Sequence, residues 1–343
     1  MLTQVVSGRV YDYSHGIGGR AMMKPYGMAI GSGDIIYVSD RRYSSLAQIR
    51  AGGPILTHIK KIDLGNEAGE EELLIEFANT GTGEGELIWP SGMACDAGDK
   101  LYIAEEWLNH IVVFGRGGDF LGTWGETGDS EGQLNRPSGI NFDDAGDLYI
   151  VDSMNHRVQK FTADGVFLGA WGSKGIGAGQ FNAPWGITID VGGNVYVADC
   201  GNHRVQKFTR NGDFVLEFGR LGSQPGKFNH PSDVAVDPDG DIYVCDWGNS
   251  RIQAFDAEGT ILTTFIGDAV QLAKWQQQFV DANEAEQRAR RRVPSLEQEW
   301  RFALPMSVEF HSRKGWMMVA DTQRGRLQVY AKLKDYIEPQ FNL

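Results

Sequence analysis

The feature that most constrains the fold is a unit that recurs along the chain at a fixed spacing. The segments 136–172, 183–219 and 230–267 align over their whole length. Each has a proline as its second residue, and the prolines at 90, 137, 184 and 231 follow one another at steps of 47 residues. Two more copies begin at Pro25 and Pro305 after longer intervals, which makes six units. Such self-similarity predicts a repeat architecture.

Each unit contains four short segments with the composition of β-strands. In the fourth unit they are GITID, NVYVAD, RVQKF and DFVLEFG, which are rich in β-branched and aromatic residues. The 45 glycines of the chain are consistent with many tight turns. Four strands in a repeat of about 45 residues are typical of a propeller blade. The sequence therefore predicts an all-β, six-bladed β-propeller that occupies residues 1–343 as a single domain.

The pattern D-x-x-N-H-R-V-Q-x-F at residues 152–161 and 199–208 resembles the motif of the NHL repeat. The resemblance covers most of residues 25–330 and implies a propeller that presents one face to a protein, an RNA or another ligand. The zinc-dependent peptide-amidating lyases are similar to the same repeat, but their metal-binding histidines directly follow the blade proline. This chain has no histidine at those positions, which are Tyr26, Ser91, Ser138, Trp185, Ser232 and Met306. That lyase chemistry is therefore not expected.

The two ends of the chain are predicted to close the ring. The sixth unit has no fourth strand after Tyr330, and residues 4–14 have the composition to supply it. Insertions at about 41–57 and 268–303 account for the longer intervals between units. The second is predicted to be helical, with an apolar stripe of Leu272, Trp275 and Phe279. We expect this stripe either to pack on blade five or to join the first insertion in a lid over the top mouth of the channel.

A carboxylate ends the second strand of every unit, at Asp40, Glu105, Asp152, Asp199, Asp246 and Asp321. In four units an arginine follows five residues later, which predicts an ion pair that holds a loop of the blade rather than a cation site. In the second unit Glu105 and His110 take the places of that pair. A metal site made of His110, His156 and His203 is disfavoured, because these residues do not share one repeat position.

The first strand of each blade is predicted to line the channel, where only small side chains fit. The second residue after the proline is glycine in four units, but it is Asp233 in the fifth. The fourth residue is Glu309 in the sixth unit and Asn141 in the third. Oxygen groups of this kind suit Ca²⁺ or Mg²⁺, and carboxylates can serve as general bases. Asp233 and Glu309 are thus candidate catalytic residues, and together with Asn141 candidate metal ligands; bonding to channel water or backbone is the alternative.

The top mouth of the channel, where the second strand leads to the third, is the other candidate site. Arg41 and Arg42 follow Asp40 there and form the best candidate pair for contacting an anion. Side chains at variable positions of the repeat should surround the same mouth, namely Tyr26, Trp107, Trp185, Trp247 and Met154. Aromatic, Met and Arg side chains are enriched at binding surfaces. The sequence therefore predicts a ligand-binding mouth.

Charge limits the classes of partner. The chain has 32 Lys+Arg and 45 Asp+Glu, a net charge of −13. No DNA partner is expected and RNA is disfavoured, since nucleic-acid binding needs a basic face. No segment of the sequence has the length and hydropathy of a membrane span, and three cysteines that cannot all pair favour the cytoplasm.

Two functions remain open at this stage. The first is the binding of a small molecule or a protein at the top mouth. The second is a hydrolase, lactonase or lyase at the same place, with or without a divalent cation. No nucleophile elbow, phosphate-binding loop or zinc-protease motif is present in the sequence.

Overall fold

The computed structural model covers residues 3–19, 22–43 and 55–334; for residues 42, 43 and 55 it describes the backbone alone. Six antiparallel sheets form the blades of a propeller, so the predicted fold is confirmed. Five blades have four strands each and the sixth has five. The first strands of neighbouring blades contact one another around the axis, and the fourth strands lie at the outer edge.

The strands of blades one to three, from the axis outward, are Pro25–Ile30, Ile35–Tyr43, Ile55–Asp63 and Glu72–Phe77; Pro90–Cys95, Leu101–Glu105, His110–Phe114 and Phe120–Trp124; and Pro137–Phe142, Asp147–Asp152, Arg157–Thr162 and Phe167–Trp171. Those of blades four to six are Ile187–Ile189, Val195–Asp199, Arg204–Phe208 and Phe214–Phe218; Pro231–Val236, Ile242–Asp246, Arg251–Phe255 and Ile261–Phe265; and Val308–His311, Trp316–Asp321, Arg326–Leu333, Arg9–Gly18 and Thr3–Val6. Short parallel pairs in two connections are Asn79–Thr80 with Glu86–Leu87 and Glu126–Thr127 with Gln133–Leu134. Single 3₁₀ turns join the second and third strands of four blades, at Ser153–Asn155, Cys200–Asn202, Trp247–Asn249 and Thr322–Arg324.

Burial changes from the middle of a blade to its edge. Every residue of the second strand is buried in blades two, four, five and six, because neighbouring blades cover this strand on both faces. The outer strands Phe120–Trp124 and Phe167–Trp171 instead alternate between partly buried and exposed residues. The continuous apolar runs of the sequence therefore mark the inner part of each blade.

The hydrophobic core consists of six clusters, each between two adjacent blades. The cluster between blades five and six contains Tyr243 and Tyr330, and the one between blades six and one contains Met28 and Leu327. Each blade thus depends on both neighbours for the burial of its faces, and the ring must close for the last two clusters to form.

The N-terminal segment closes the ring, as predicted. Strand Arg9–Gly18 pairs with Arg326–Leu333 as the fourth strand of blade six, and Thr3–Val6 adds a fifth strand outside it. The predicted range of 4–14 therefore spans parts of two strands and the turn between them. Tyr11 and Ile17 are fully buried in the last two clusters, which explains why this segment can hold the ring together.

A charge cluster reinforces the closure on the side of blade five. The Lys332 ammonium lies 2.5, 2.8 and 2.9 Å from carboxylate oxygens of Asp237, Asp239 and Asp241, which follow the inner strand of blade five. Arg9 pairs with Asp241 at 2.7 Å. Two cations from the two ends of the chain therefore bind one acidic loop of the neighbouring blade.

The carboxylate that ends the second strand has the structural role expected of it. In four blades it pairs with the arginine five residues later, as Asp152–Arg157 and Asp199–Arg204 at 2.8 Å, Asp246–Arg251 at 2.6 Å and Asp321–Arg326 at 3.0 Å. Each aspartate also accepts a backbone N–H from the loop that enters the blade, from Asn135, Asn182, Asn229 or Ala303. The carboxylates therefore join two loops of one blade.

Blades one and two vary this arrangement. Asp40 accepts the backbone N–H groups of Met23 and Lys24, and Glu105 accepts those of Ile88 and Trp89. Glu105 and His110 face each other at the positions that the ion pair holds in other blades, but no ion pair joins them within the part of the chain described. Burial lowers the pKa of His110 and favours its neutral form.

The second insertion forms three helices in the described part of the chain: α1 (Lys274–Asp281), α2 (Glu284–Arg291) and α3 (Glu297–Trp300). Trp275 packs on the cluster between blades six and one, and Ala273 contacts Gly16 of the closing strand. Ala269 and Phe302, near the two ends of the insertion, are buried in the cluster between blades five and six, so the insertion does contact blade five. The predicted stripe, however, places Trp275 on blades six and one rather than on blade five. None of the three described helices lines the mouth pocket or the channel cavity, so they do not form the expected lid. Residues 44–54 of the first insertion lie outside the described residues.

The basic stretch in this insertion is balanced by acids. Arg288 pairs with Glu284, Arg290 pairs with Glu299, and Arg301 lies 2.8 Å from Glu297. These pairs lie on the outside of the ring and do not form a basic face. None of the described helices is long and apolar enough to cross a membrane.

Deleting residues 1–18 should strongly destabilise the protein. The deletion exposes the edge of blade six and removes the buried side chains of Val10, Tyr11, Tyr13 and Ile17, each worth roughly 1.5–3 kcal/mol. We expect a loss of more than about 6 kcal/mol, or aggregation, in urea unfolding followed by circular dichroism. Deleting residues 1–6 removes only the fifth strand and should cost much less. A protein without residues 1–18 that unfolds like the full chain would contradict this account.

Asp241→Asn should lower stability at neutral pH and matter less in acid. Burial alone would raise the pKa of Asp241, but hydrogen bonds and charges from Arg9 and Lys332 outweigh it and hold the pKa below its usual value. Its contribution is therefore present above pH 4 and is lost as the pH falls through the lower folded-state pKa. We expect a cost of about 3 kcal/mol at pH 7 that shrinks below pH 4. A pH-independent difference between the urea unfolding energies of the two proteins would refute it.

Candidate binding site at the channel mouth

In blades one to four, the inner strands approach their neighbours so closely that glycine is required at the second position after the proline. A Cβ atom at Gly139 would lie 2.6 Å from the carbonyl oxygen of Trp185, and those at Gly27 and Gly92 would overlap the carbonyls of Ser91 and Ser138. The channel therefore narrows to a cavity of about 40 Å³. Such a volume admits a few water molecules or the end of a narrow ligand.

Asp233 occupies this glycine position in blade five and joins it to blade six. Its carboxylate accepts the backbone N–H of Val308 across the blade junction and that of Val234 on its own strand, both at 3.0 Å. Burial raises the pKa of Asp233 to about 7, although hydrogen bonds from Ser307 and these two N–H groups favour the charged form. Asp233 is thus partly a structural residue, as the alternative interpretation held, and it can exchange a proton near neutral pH.

Glu309 lines the same cavity from the inner strand of blade six. Within the described ranges its carboxyl group has no hydrogen-bond or ion-pair partner. Burial raises the pKa of Glu309 well above its usual range, and the negative charge of Asp233 raises it further. The two carboxyl groups therefore form a coupled acid pair in which binding a cation or a hydrogen-bond donor would be favourable.

Among the described residues, no third acidic or histidine side chain lies close enough to Asp233 and Glu309 to complete a metal site with them. The described residues contain no group of three or more His, Cys, Asp or Glu side chains placed to hold a metal ion. Asn141 does not line the cavity that Asp233 and Glu309 share. His156 and His203 use Nδ1 to accept the backbone N–H groups of Ala183 and His230. A Ca²⁺ or Mg²⁺ ion at Asp233, Glu309 and Asn141 stays a prediction.

Above this cavity a wider pocket of about 230 Å³ opens at the top mouth, formed mainly by residues of blades one, two, five and six. Its lining residues are Lys24, Tyr26, Arg41, Trp89, Trp247, Leu304, Met306, Thr322 and Gln323. Tyr26 and Met306 also line the channel cavity, so the two spaces adjoin. The mouth thus combines cationic and aromatic side chains above an acidic cavity.

Arg41 is the most unusual residue of this pocket. Its guanidinium carbon lies 3.4 Å from the centre of the Tyr26 ring and 4.5 Å from that of Trp89, so the group is held between two aromatic faces. One Nη donates to the carbonyl of Pro90 at 2.7 Å, whereas the buried Nε has no hydrogen-bond partner in the described structure. The residue is only 6% exposed. An arginine that is this buried and has an Nε without a partner can still donate to an acceptor.

In the described residues, no carboxylate forms a direct ion pair with Arg41. Burial lowers the pKa of Arg41, and the charges of Glu106 and Glu105 oppose this effect. Burial also raises the pKa of Glu106, one of whose oxygens is buried without a partner among the residues described. The region is therefore a partly desolvated set of charges in which an added anion would meet a strong local field.

The other predicted mouth residues lie at different depths. Trp247 lines the mouth pocket and Trp185 lines the channel cavity. Trp107 is 59% exposed and Met154 is 46% exposed, and neither lines either space. The side chain of Arg42 lies outside the described residues. Of the residues predicted to surround the mouth, Tyr26, Arg41 and Trp247 therefore line the pocket, while Trp107 and Met154 lie on loops away from it.

Several pocket residues escaped the sequence analysis, notably Lys24, Trp89, Thr322 and Gln323. Lys24 and Trp89 directly precede the blade prolines, a position at which the six units carry six different residues. Variation at a fixed repeat position could have indicated these pocket residues, because side chains that serve only to build the blade recur from unit to unit. Thr322 and Gln323 could have been found in the same way in the loop after Asp321.

Replacing Asp233 by Asn should change how stability depends on pH. Because the folded-state pKa of Asp233 is raised, its contribution is fully present below the unfolded pKa of about 4 and is lost as the pH rises toward 7. The wild-type protein should therefore lose stability relative to Asp233→Asn between pH 4 and 7. Urea unfolding of both proteins at pH 4, 5.5 and 7 measures this difference. Parallel curves would show that Asp233 does not titrate near neutrality.

The comparison with protein-family profiles matches the NHL repeat at residues 134–161, 181–208 and 228–255. These matches cover the first three strands of blades three, four and five, with the ends of their entry loops. A search of curated protein sequences finds no significant match.

Solved structures with the same fold share little sequence with this chain. A streptogramin B lyase is 13% identical, with a TM-score of 0.55, over 94% of this chain and 98% of its own. A catalytically inactive histidine-to-alanine variant of virginiamycin B lyase from Staphylococcus aureus, crystallised with quinupristin, is 12% identical, with a TM-score of 0.56, over 94% and 100%. A protein of unknown function from Bacteroides thetaiotaomicron is 15% identical, with a TM-score of 0.58, over 94% and 76%. The three repeat matches and the six blades together show that the chain is an NHL-repeat six-bladed β-propeller protein.

Proposed function

We propose that the protein binds a small organic anion in the pocket at the top mouth of its channel. The observation that carries this proposal is Arg41, a buried guanidinium whose Nε has no partner in the described structure and which lines a pocket large enough for a ligand. Natural proteins rarely leave a buried charged donor unsatisfied, since the desolvation cost is not recovered.

The remaining walls of the pocket suit an anion with an apolar body. Trp247, Leu304 and Met306 present apolar surface, and Lys24 adds a second positive charge to the lining. At about 230 Å³ the space is smaller than a typical site for a drug-sized molecule, which is roughly 300–1,000 Å³. A carboxylate with a short aliphatic or aromatic chain fits this combination of charge, polarity and size.

A small molecule is favoured over a protein partner because the polar groups that lack partners are recessed. A protein surface could cover the exposed Trp107 and Met154, but it would reach Arg41 only by inserting a side chain.

Cys95, Cys200 and Cys245 are all free thiols, which supports the proposal that the protein works in a reducing compartment such as the cytoplasm.

Lyase or hydrolase activity at the same mouth is the second candidate. Asp233, with a pKa of about 7, is suited to move a proton, and the fold is shared with streptogramin B lyases. Loss of a histidine inactivates the virginiamycin B lyase variant, whereas none of the histidines of this chain lines the mouth pocket or the channel cavity. Binding is therefore the first candidate.

Arg41→Met should abolish the binding of a small carboxylate. Hexanoate is a suitable probe, and its binding can be followed by the fluorescence of Trp89 and Trp247 or by calorimetry. We expect the dissociation constant to rise at least tenfold, since a hydrogen bond to a charged group contributes about 1.5–3 kcal/mol. Arg41→Lys keeps the charge but not the planar group stacked on Tyr26, and should recover only part of the affinity.

Arg210→Met is the matched control, because Arg210 is exposed and pairs with Asp144 at 2.5 Å on another loop. It should bind hexanoate like the wild type. Trp247→Ala tests the pocket independently of the buried arginine and should also weaken binding. Equal affinity of the wild type, Arg41→Met and Trp247→Ala would sink the proposal.

Turnover of esters, lactones or quinupristin would support the enzymatic candidate. If turnover occurs, Asp233→Asn should reduce it at least a hundredfold by removing the proton-transfer group, whereas the exposed Asp144→Asn should leave it unchanged. No turnover of any of these compounds by the wild type would remove the enzymatic candidate for these substrate classes.

A further inference from the structure

Cationic side chains line the mouth pocket, and acidic side chains line the channel cavity below it. Lys24 and Arg41 line the upper space, and Asp233 and Glu309 line the lower one. Tyr26 and Met306 belong to both walls, so that a ligand in the pocket adjoins the cavity.

The pair formed by Asp233 and Glu309 has hydrogen-bonding groups that the protein itself leaves without a partner in the described residues. The Asp233 carboxylate accepts hydrogen bonds from Val234 and Val308, but the Glu309 carboxyl group has no hydrogen-bond or ion-pair partner among the described residues, although it lines the channel cavity. The cavity of about 40 Å³ is large enough for an ammonium group and an adjoining methylene. Larger groups cannot enter, because the inner strands around it carry glycine at the point of closest approach.

We infer that the ligand is bipolar: its anionic group binds at Arg41 in the mouth, and an amine at its other end reaches the acid pair in the channel. This inference rests on the proposed function and extends it to a substrate class, the small amino acids whose amine and carboxylate lie at opposite ends of a chain. Arg41 lines the mouth pocket and not the channel cavity, whereas Glu309 lines the cavity and not the pocket. The ligand must therefore carry its two charges at opposite ends of a chain of several methylene groups.

The acid pair also predicts how binding depends on pH. The titratable groups near it are Cys95, beside Glu309, and Cys245, beside Asp233. Burial raises the pKa of both thiols and keeps them neutral, so the carboxyl groups are the source of negative charge. An ammonium group favours ionised carboxylates, and its binding should therefore release a proton from the pair near pH 7.

The test compares three probes of similar length: hexanoate, 6-aminohexanoate and hexylamine. Calorimetry at pH 8 should give a dissociation constant for 6-aminohexanoate at least tenfold lower than that for hexanoate, with hexylamine weaker than either. The advantage of the amine should decrease severalfold at pH 6. Measurements at pH 7 in buffers of different ionisation enthalpy should show proton release with 6-aminohexanoate and none with hexanoate.

Glu309→Gln is the diagnostic variant, because the amide keeps the shape of the side chain and removes its charge. It should abolish the advantage of 6-aminohexanoate over hexanoate and the proton release. Glu126→Gln, an exposed substitution in the connection after blade two, is the matched control and should change neither.

The outcomes separate this inference from the proposed function. If hexanoate binds through Arg41 and the amine adds no affinity, the bipolar ligand is wrong and the anion site stands. If neither carboxylate binds, both proposals fail. If Ca²⁺ or Mg²⁺ raises the melting temperature of the wild type but not of Glu309→Gln, and the amine adds nothing, the acid pair is a metal site and the inference is overturned.

Discussion

The close approach of the inner-strand backbones at the axis is the constraint on which the rest of the structure depends. Six strands converge there, and glycine at the second position after the proline is what lets neighbouring backbones pass. Little space remains in the channel, so a ligand can bind only above it or where the glycine pattern is broken. Asp233 breaks the pattern and Glu309 lies beside it. The candidate site joins both places, the mouth above and the altered inner strands below.

Ring closure determines where the protein can vary. Because each core cluster needs two blades, the chain uses repeated elements, such as the ion pair of Asp199 with Arg204 and its counterparts in three other blades, to build blades of similar shape. The junction of blades six and one has a different construction, with a closing strand from the N-terminus and three helices packed outside it. The mouth pocket lies next to this junction. Departures from the repeat thus cluster on the side of the ring where the chain ends meet.

The repeat allowed the blades, the ring closure, the carboxylate–arginine pairs and the channel acids to be predicted, because each depends on local pattern and on fixed positions in the unit. The environment of Arg41 could not be predicted, since Trp89 comes from the next blade and the stacking depends on side-chain directions. The helical insertion was misplaced for a similar reason. An apolar stripe such as that of Trp275 requires a surface to pack on, but the sequence does not say which blade provides it.

The central claim is that an organic anion binds at Arg41 with its chain directed into the channel. A crystal structure of the protein with 6-bromohexanoate tests this most directly, because anomalous scattering locates the bromine independently of the carboxylate. The account predicts the carboxylate within hydrogen-bonding distance of Arg41 and the bromine deeper, toward Glu309. A competing groove of about 490 Å³ lies outside the ring between Met22 and the helices, lined by Leu272 and Phe279. Bromine density in that groove, with none in the mouth, would contradict the account.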